Sequence, residues 1–211
     1  FITVALNVNQ SKEEKTIALT NYAKNVGIEI RSPKFRYSKA EYFCDTNDFC
    51  IYKGIGSIKF MNAQIANELY ELRNEKFADF IDVLVAISHT SVNSRQLDIL
   101  IKLNYFEEFG EIKRLLECTK LFNNLYSKKQ FKKDKLQSMN LEEMDVRQFA
   151  AKETEKMFSG VDTYHLLKYM TAIMKYPETT LVDKIHYQQE LLGYIDIKDA
   201  RYKGVGYVMS V

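Results

Sequence analysis

Between residues 62 and 122 the apolar residues recur with a helical period four times over, and this constrains the chain more than any other feature. Ile65, Ala66, Leu69, Tyr70 and Leu72 form one stripe, and Phe77, Phe80, Ile81, Leu84 and Ile87 a second. Leu97, Leu100, Ile101 and Leu103 form a third, and Ile112, Leu115, Leu116, Thr119 and Phe122 a fourth. Each stripe is one face of a 3.6-residue period and has to be covered by a neighbour. The links between them ("NEK", "SHTSVNS", "EEFG") are short. Four helices so connected predict a compact helical unit of about 75 residues, within the usual size of a domain.

The flanks differ in character. Residues 11–26 read as a helix with Ile17, Leu19, Tyr22, Ala23 and Val26 near one face, a Ser11/Glu14 capping box, and Gly27 at its C-terminal end. "GIEIRSPKF" alternates like a short strand until Pro33, and "DFCIYKG" is a second extended candidate. Beyond the four stripes, residues 141–158 and 162–176 read as two further helices, the second capped by Asp162 and stopped before Pro177. "YKGVGYVMSV", from Tyr202, reads as a short terminal strand. The expected fold class is mainly α: a helical unit preceded by a small α/β segment and followed by more helices and that strand. "FITVALNV" at one end and "GYVMSV" at the other read like the interior of a longer chain.

With 46% hydrophobic residues, a packed globular protein is expected. Thirty Lys and Arg against 28 Asp and Glu leave a net charge of +2, so any basic surface has to come from clustering. The densest cluster is "SKKQFKKDK", with five lysines in nine residues. Cys44, Cys50 and Cys118 are few, odd in number and without C-x-x-C spacing, and His89, His165 and His186 lie far apart. That pattern argues against a zinc site and for reduced thiols in the cytoplasm. No apolar run reaches membrane-spanning length and no signal peptide is legible, so no membrane partner is expected.

Just before the first stripe stands "YKGIGSIKFMN". A Walker loop needs G-x-x-x-x-G-K-[ST], and a Rossmann fingerprint needs a third glycine and a later acidic residue on a strand; neither spacing is present. A G-x-G turn before a helix can still offer backbone N–H groups and a helix N-terminus to a phosphate, with lysine beside it. The plainer reading is that Gly54 and Gly56 only make a tight turn.

"KGIGSIK", then "FADFIDVLVAI", "SVNSRQLDILIKLNYFEEFG" and "RLLE" together resemble the helix-hairpin-helix region of the bacterial replicative DNA polymerase III α subunit, a C-family polymerase. That family carries a G-L-G-x-I-K turn, a DF segment and a lysine-rich exit in this order. "KTIALTNYAKNVGIEIRSPKFRYSKAEYF" is similar to the end of its fingers. "HYQQELLGYID" is similar to the motif before its oligonucleotide-binding fold, and "GYVMSV" to that fold's first strand. The likeness implies residues 1–50 as the end of the fingers and 51–127 as the helix-hairpin-helix unit. Residues 128–185 would be a basic linker with helices, and 186–211 the start of an OB-like fold. Two departures stand out. The family's second G-V-G is replaced by Phe60-Met61-Asn62, where Asn62 would supply the left-handed residue, and "DIKDAR" replaces its His-Pro. A divergent or phage-like member is implied.

The resemblance implies double-stranded DNA as partner, the sliding clamp and other replisome subunits as further ones, and Mg²⁺ only in the parent palm. No D-x-D run is present here, no histidine sits in a nucleophile–base pattern, and no catalytic residue or cofactor is expected in this piece. The implied DNA contacts are Lys53, Gly54, Gly56, Ser57, Lys59 and Asn62 at the turn, and a second site at a later helix, with Asn93 or Ser94 as its cap and Ser94 and Arg95 as contacts. Lys128, Lys129, Lys132 and Lys133 would act as a flexible arm. Arg95 on a solvated helix face, and the lysine run as a plain polar linker, are the alternatives. "TEKMFSG" occupies the family's clamp-peptide region, with Thr154, Met157 and Phe158 as contacts; the alternative is that Met157 continues a helical core face with Val146, Phe149 and Ala150. The competing function is a helical protein-interaction module of polymerase ancestry that no longer binds DNA.

Overall fold

The computed structural model describes residues 1–10, 12–193, Ile195 and Ile197. Among these are nine α-helices and two three-stranded sheets, so the fold is mainly α. Helices α1 (Ile2–Val8) and α2 (Glu13–Asn25) lead into β1 (Glu29–Arg31), β2 (Phe43–Asp45) and β3 (Cys50–Tyr52). The sheet order is β1-β3-β2, with β1 parallel and β2 antiparallel to β3. A small core of Ile2, Leu6, Ala23, Ile30, Tyr42 and Ile51 joins these elements. Asn7 fastens α1 to β2 from both sides, donating to the Tyr42 carbonyl at 3.1 Å and accepting from the Tyr42 N–H at 2.8 Å.

The expected face of α2 is only partly used: Ala23 is buried, whereas Ile17, Tyr22 and Val26 are exposed. The helix starts at Glu13 after Lys12, which makes no side-chain cap, and Ser11 of the expected capping box lies outside the described residues.

The four stripes form α3 (Ala63–Glu71), α4 (Phe80–Ile87), α5 (Ser94–Lys102) and α6 (Ile112–Leu125). Each of the first three starts at a side-chain cap: Asn62, Asp79 and Asn93. Such a cap satisfies one of the unpaired N–H groups of the first turn and is worth about 1 kcal/mol. Their apolar faces meet in one large core, which also takes in Phe35 from the loop after β1. Phe35 stands 5.3–6.2 Å from the rings of Phe77, Tyr105, Phe106 and Phe109. Beside it Arg36, at φ +72°, donates to the Arg73 and Glu75 carbonyls at 2.6 and 2.8 Å and to Glu108 at 2.7 Å, binding the loop to the end of α3.

Residues 141–158 do not form the single helix their periodicity suggests. A short helix α7 (Glu143–Arg147) is followed by a hairpin of β5 (Ala150–Glu153) and β6 (Met157–Val161). Strand β4 (Gln130–Lys132) completes the sheet in the order β4-β6-β5, all antiparallel. Pairing across the sheet sets Phe131 opposite Phe158, and both side chains enter the large core, 2% and 0% exposed. Non-local pairing has overridden a helical period here.

Helix α8 (Thr163–Ile173) starts at Asp162 as expected. It is held to α4 by Tyr164 donating to Asp82 at 2.7 Å and by Lys168 between Asp82 and Asp79 at 2.8 and 3.3 Å. A last helix, α9 (Leu181–Leu192), has a Thr180/Asp183 capping box and Gly193 in the left-handed conformation. It docks on the start of α6, where Lys113 pairs with Asp183 at 2.5 Å. Of the expected OB-like start, residues 186–192 are the end of this helix, and the strand expected from Tyr202 lies outside the described residues.

Candidate nucleic-acid interface

The turn before α3 is built inward. Gly54 and Gly56 have no positive φ; Gly54 opens a single 3-10 turn, Ile55–Ser57, at φ −74° and ψ 145°. A Cβ on Gly54 would stand 2.4 Å from the Ala40 carbonyl oxygen, and one on Gly56 2.8 Å from the same atom. The Ile55 and Gly56 N–H groups are donated to the Lys39 and Ala40 carbonyls, each at 2.9 Å. The glycines therefore let this turn lie against the backbone at residues 39–41, and these two N–H groups are not presented to a ligand. Ser57 closes the turn by donating its hydroxyl to the Gly54 carbonyl at 2.8 Å, while Ile55 and Ile58 anchor it in the core.

The outward side begins at Lys59, which is exposed and makes no ion pair among the described residues. Phe60 follows at φ +68° and is 50% exposed. The left-handed position expected at Asn62 thus falls two residues earlier. Asn62 is extended (φ −140°, ψ 173°) and serves as the cap of α3, its Oδ1 accepting from the Ile65 N–H at 2.9 Å. A short polar side chain is better spent on capping than on the left-handed bend.

The N-terminus of α5 lies beside this turn. Asn93, not Ser94, is its cap, and Gln96 completes a capping box: the Gln96 N–H donates to Asn93 at 3.0 Å and Gln96 Oε1 accepts from the Asn93 N–H at 2.9 Å. The same buried side chain donates through Nε2 to the Phe60 carbonyl at 2.9 Å. One glutamine therefore fixes two helix N-termini against each other. Arg95 lies over the Phe60 ring, its guanidinium carbon 3.6 Å from the centroid. Ser94 is exposed in the first turn. Neither α3 nor α5 carries an acidic residue in its first turn. The loop between α4 and α5 is tied to α3 through Ser91, which donates its N–H to Glu68 at 2.6 Å and accepts from Gln64 at 2.9 Å. Hydrogen bonds from the Ser91 N–H, the Gln64 amide and the Ser91 hydroxyl hold the Glu68 carboxyl below its usual range. Gln96 was absent from the expected contacts, although Asn93-x-x-Gln96 is a legible capping box.

Lys53, Ser57 and Lys59 also line a groove of about 710 Å³ with Thr16, Ile17 and Thr20 of α2. Lys53 itself is half buried, and its N–H donates to the Arg31 carbonyl at 2.9 Å.

The lysine run is not a flexible arm. Gln130–Lys132 is an edge strand with Phe131 in the core, and the Lys129 carbonyl accepts from the Val161 N–H at 3.2 Å. Lys133 is committed to Glu153 at 2.6 Å and Glu143 at 3.2 Å. Lys128, Lys129 and Lys132 remain exposed along that edge. The segment expected to meet a clamp, residues 154–160, is the turn of the β5–β6 hairpin and most of β6. Thr154 closes it through bonds to Met157 at 2.9–3.2 Å, Met157 is half buried, and Phe158 is enclosed in the core. Phe158 would have to leave the core to fill a pocket elsewhere.

His89 is exposed in the loop before α5, His165 bonds Asp162 at 2.7 Å, and His186 is exposed on α9. Among the described residues no group of three or more His, Cys, Asp or Glu is placed to hold a metal ion, and no helix is long and apolar enough to cross a membrane.

Residues 27–116 match the helix-hairpin-helix motif family, a span that takes in the small sheet, the glycine turn and α3 to α5. The chain is 26% identical over 200 residues to the DNA polymerase III subunit alpha of Campylobacter jejuni, covering 92% of this chain and 15% of that protein. The Ureaplasma parvum subunit is 28% identical over 59% of this chain and 12% of its own length. That of Staphylococcus aureus strain MRSA252 is 31% identical over 49% of this chain and 10% of its own. The chain thus spans about 10–15% of the length of these relatives. It is similar to the DNA polymerase III alpha subunit over up to 92% of its own length, and its residues 27–116 match the helix-hairpin-helix motif family.

Proposed function

We propose that this chain is the DNA-holding portion of a replicative polymerase alpha subunit and that it grips the phosphate backbone of duplex DNA without reading bases. Residues 51–127 are the binding unit in this reading, flanked by 1–50, 128–185 and 186–211. Catalysis would reside in other parts of such a polymerase. The observation that carries the reading is the Gln96 bridge, which sets the N-termini of α3 and α5 side by side. A helix N-terminus carries roughly half a positive charge, and neither of these has an acidic residue to offset it. Arg95 adds a cation in the first turn of α5, an unfavourable place unless an anion arrives. Lys59 stands on the other flank. The phosphate contacts are therefore Lys59, Asn62, Ser94 and Arg95, with Lys53 and Ser57 behind them in the groove and Gly54 and Gly56 as supports of the turn. Lys128, Lys129 and Lys132 form a second, separate basic edge.

The clamp contact loses its anchor with Phe158 enclosed in the core. The competing reading, a protein-interaction module, is favoured by the inward glycines and the exposed Phe60 ring. Salt decides between them. Each phosphate neutralised contributes about −0.9 to the slope of log K against log[salt]. Lys59 and Arg95 alone give a slope of about −2, and recruitment of the β4 edge steepens it to about −5. Anisotropy of a labelled duplex should show that dependence. Lys59→Glu should weaken every duplex sequence alike and flatten the slope by about one. Absence of binding at low salt would leave the protein-interaction module.

A further inference from the structure

The Phe60–Arg95 pair does something that phosphate holding does not require. A phenylalanine occupies the left-handed region at φ +68°, a conformation a bulky residue avoids and that glycine or asparagine would take more readily. The residue is half exposed at the tip of the turn and is not part of the core. The backbone there is pinned on three sides: Ile58 is buried just before it, Gln96 holds its carbonyl at 2.9 Å, and Asn62 caps the helix just after it. Arg95 covers one face of the ring at 3.6 Å, fixing its orientation and making that face electropositive. A strained, aromatic, pre-oriented side chain between two helix N-termini is the arrangement expected of a contact residue.

Resting on the DNA-binding reading above, we propose that Phe60 is a stacking platform for an unpaired nucleobase, so that this turn prefers DNA carrying a single-stranded overhang or junction to continuous duplex. One ring face is already occupied by Arg95, and this chooses between two ways an aromatic can meet DNA. A wedge driven between stacked base pairs needs both faces free. A platform on which one unpaired base ends its stack needs only one. Lys59 and the two helix ends would hold the phosphates on either side of that base, and every base offers a π-face, so the preference is for structure and not for sequence.

The test uses the whole chain and three DNAs of one sequence: a duplex closed by hairpin loops at both ends, the same duplex with a short 3′ overhang, and the same with a 5′ overhang, each overhang bearing 2-aminopurine as its first unpaired base. The expected result is about tenfold tighter binding of an overhang than of closed duplex, with quenching of the 2-aminopurine. Phe60→Gly should abolish the overhang preference and the quenching, weakening overhang binding far more than closed-duplex binding and without lowering the melting temperature, since glycine accepts the backbone conformation. Phe60→Tyr should keep them. Equal binding of all three DNAs, or a preference that survives Phe60→Gly, overturns the stacking role and leaves backbone holding in place. No binding to any of the three overturns the DNA-binding reading itself.

Discussion

Replacing Gly54 by alanine separates a packing role from a phosphate-contact role. The backbone of Gly54 is ordinary extended chain, so the substitution carries no conformational strain and its cost is steric. The new Cβ would stand 2.4 Å from the Ala40 oxygen, 2.5 Å from the Glu41 carbonyl carbon and 2.6 Å from the Glu41 Cα. All three are backbone atoms and none can rotate away. Restoring normal contact means separating the two segments by about 1 Å, which would stretch the Ile55–Lys39 and Gly56–Ala40 hydrogen bonds from 2.9 Å beyond useful length. Two such bonds are worth about 1 kcal/mol each, and overpacking adds roughly 1–3 kcal/mol. Reduced freedom of the unfolded chain returns about 0.5 kcal/mol. The net is a loss of about 3 kcal/mol, or a fall of about 6–12 °C in melting temperature for a chain of this size. Circular dichroism melts in parallel with duplex titrations below the transition read both quantities. Gly56→Ala, which meets only the Ala40 oxygen closely at 2.8 Å, should fall less. A Gly54→Ala protein that melts like the parent yet binds DNA poorly would refute the packing argument and return the glycine to the phosphate.

Two other outcomes concern stability. The Tyr105 hydroxyl is buried with no hydrogen-bond partner among the described residues, so Tyr105→Phe should raise stability by about 1 kcal/mol in urea titrations at unchanged m-value; a loss of that size would reveal a partner for the hydroxyl. Glu153 is held down to about 2 from its usual 4.5 by hydrogen bonds from Arg147 and Lys133, and Asp183 to about 2 from 3.8 by those from Lys113 and Thr180. Because the unfolded chain binds the protons more readily, the stability these carboxylates supply is complete above about pH 4.5 and drains away as the pH falls toward 2. Glu153→Gln should flatten part of that decline, and a protein that grows more stable on acidification would contradict the assignment.

The helices of the interface were legible because their causes are local. A stripe at 3.6-residue spacing and an Asn or Asp just before it are complete within a dozen residues, and α3, α4, α5 and α8 appear where those signals stand. The second sheet was hidden because none of its strands exceeds five residues and each is specified by its partners. Lys132 and Lys133 read as solvated charge until Phe131 is seen facing Phe158, and Val146, Phe149 and Met157 fit a helical face almost as well as a hairpin. Helix α9 carries local signals of the same kind, a Thr180/Asp183 capping box at its start and Gly193 at its end. What the Gly54 and Gly56 Cα atoms touch could not be read at all, since the Ala40–Glu41 backbone comes to them through tertiary contact.

The two sides of the turn depend on each other. A phenylalanine at positive φ costs of order 1–2 kcal/mol and persists only where its surroundings leave the backbone no alternative. Those surroundings are assembled from the inward side. Gly54 and Gly56 admit the close approach to Ala40, the approach lets Ile55 and Ile58 reach the core, and Ile58 fixes the chain two residues before Phe60. From the other direction, Gln96 reaches the Phe60 carbonyl only because its own amide oxygen is held by the Asn93 N–H. The glycines thus act on the exposed side of the turn without touching it. They hold rigid the base on which a strained aromatic and two helix N-termini can be kept in register, so a change at either glycine should loosen Phe60 and Arg95 together.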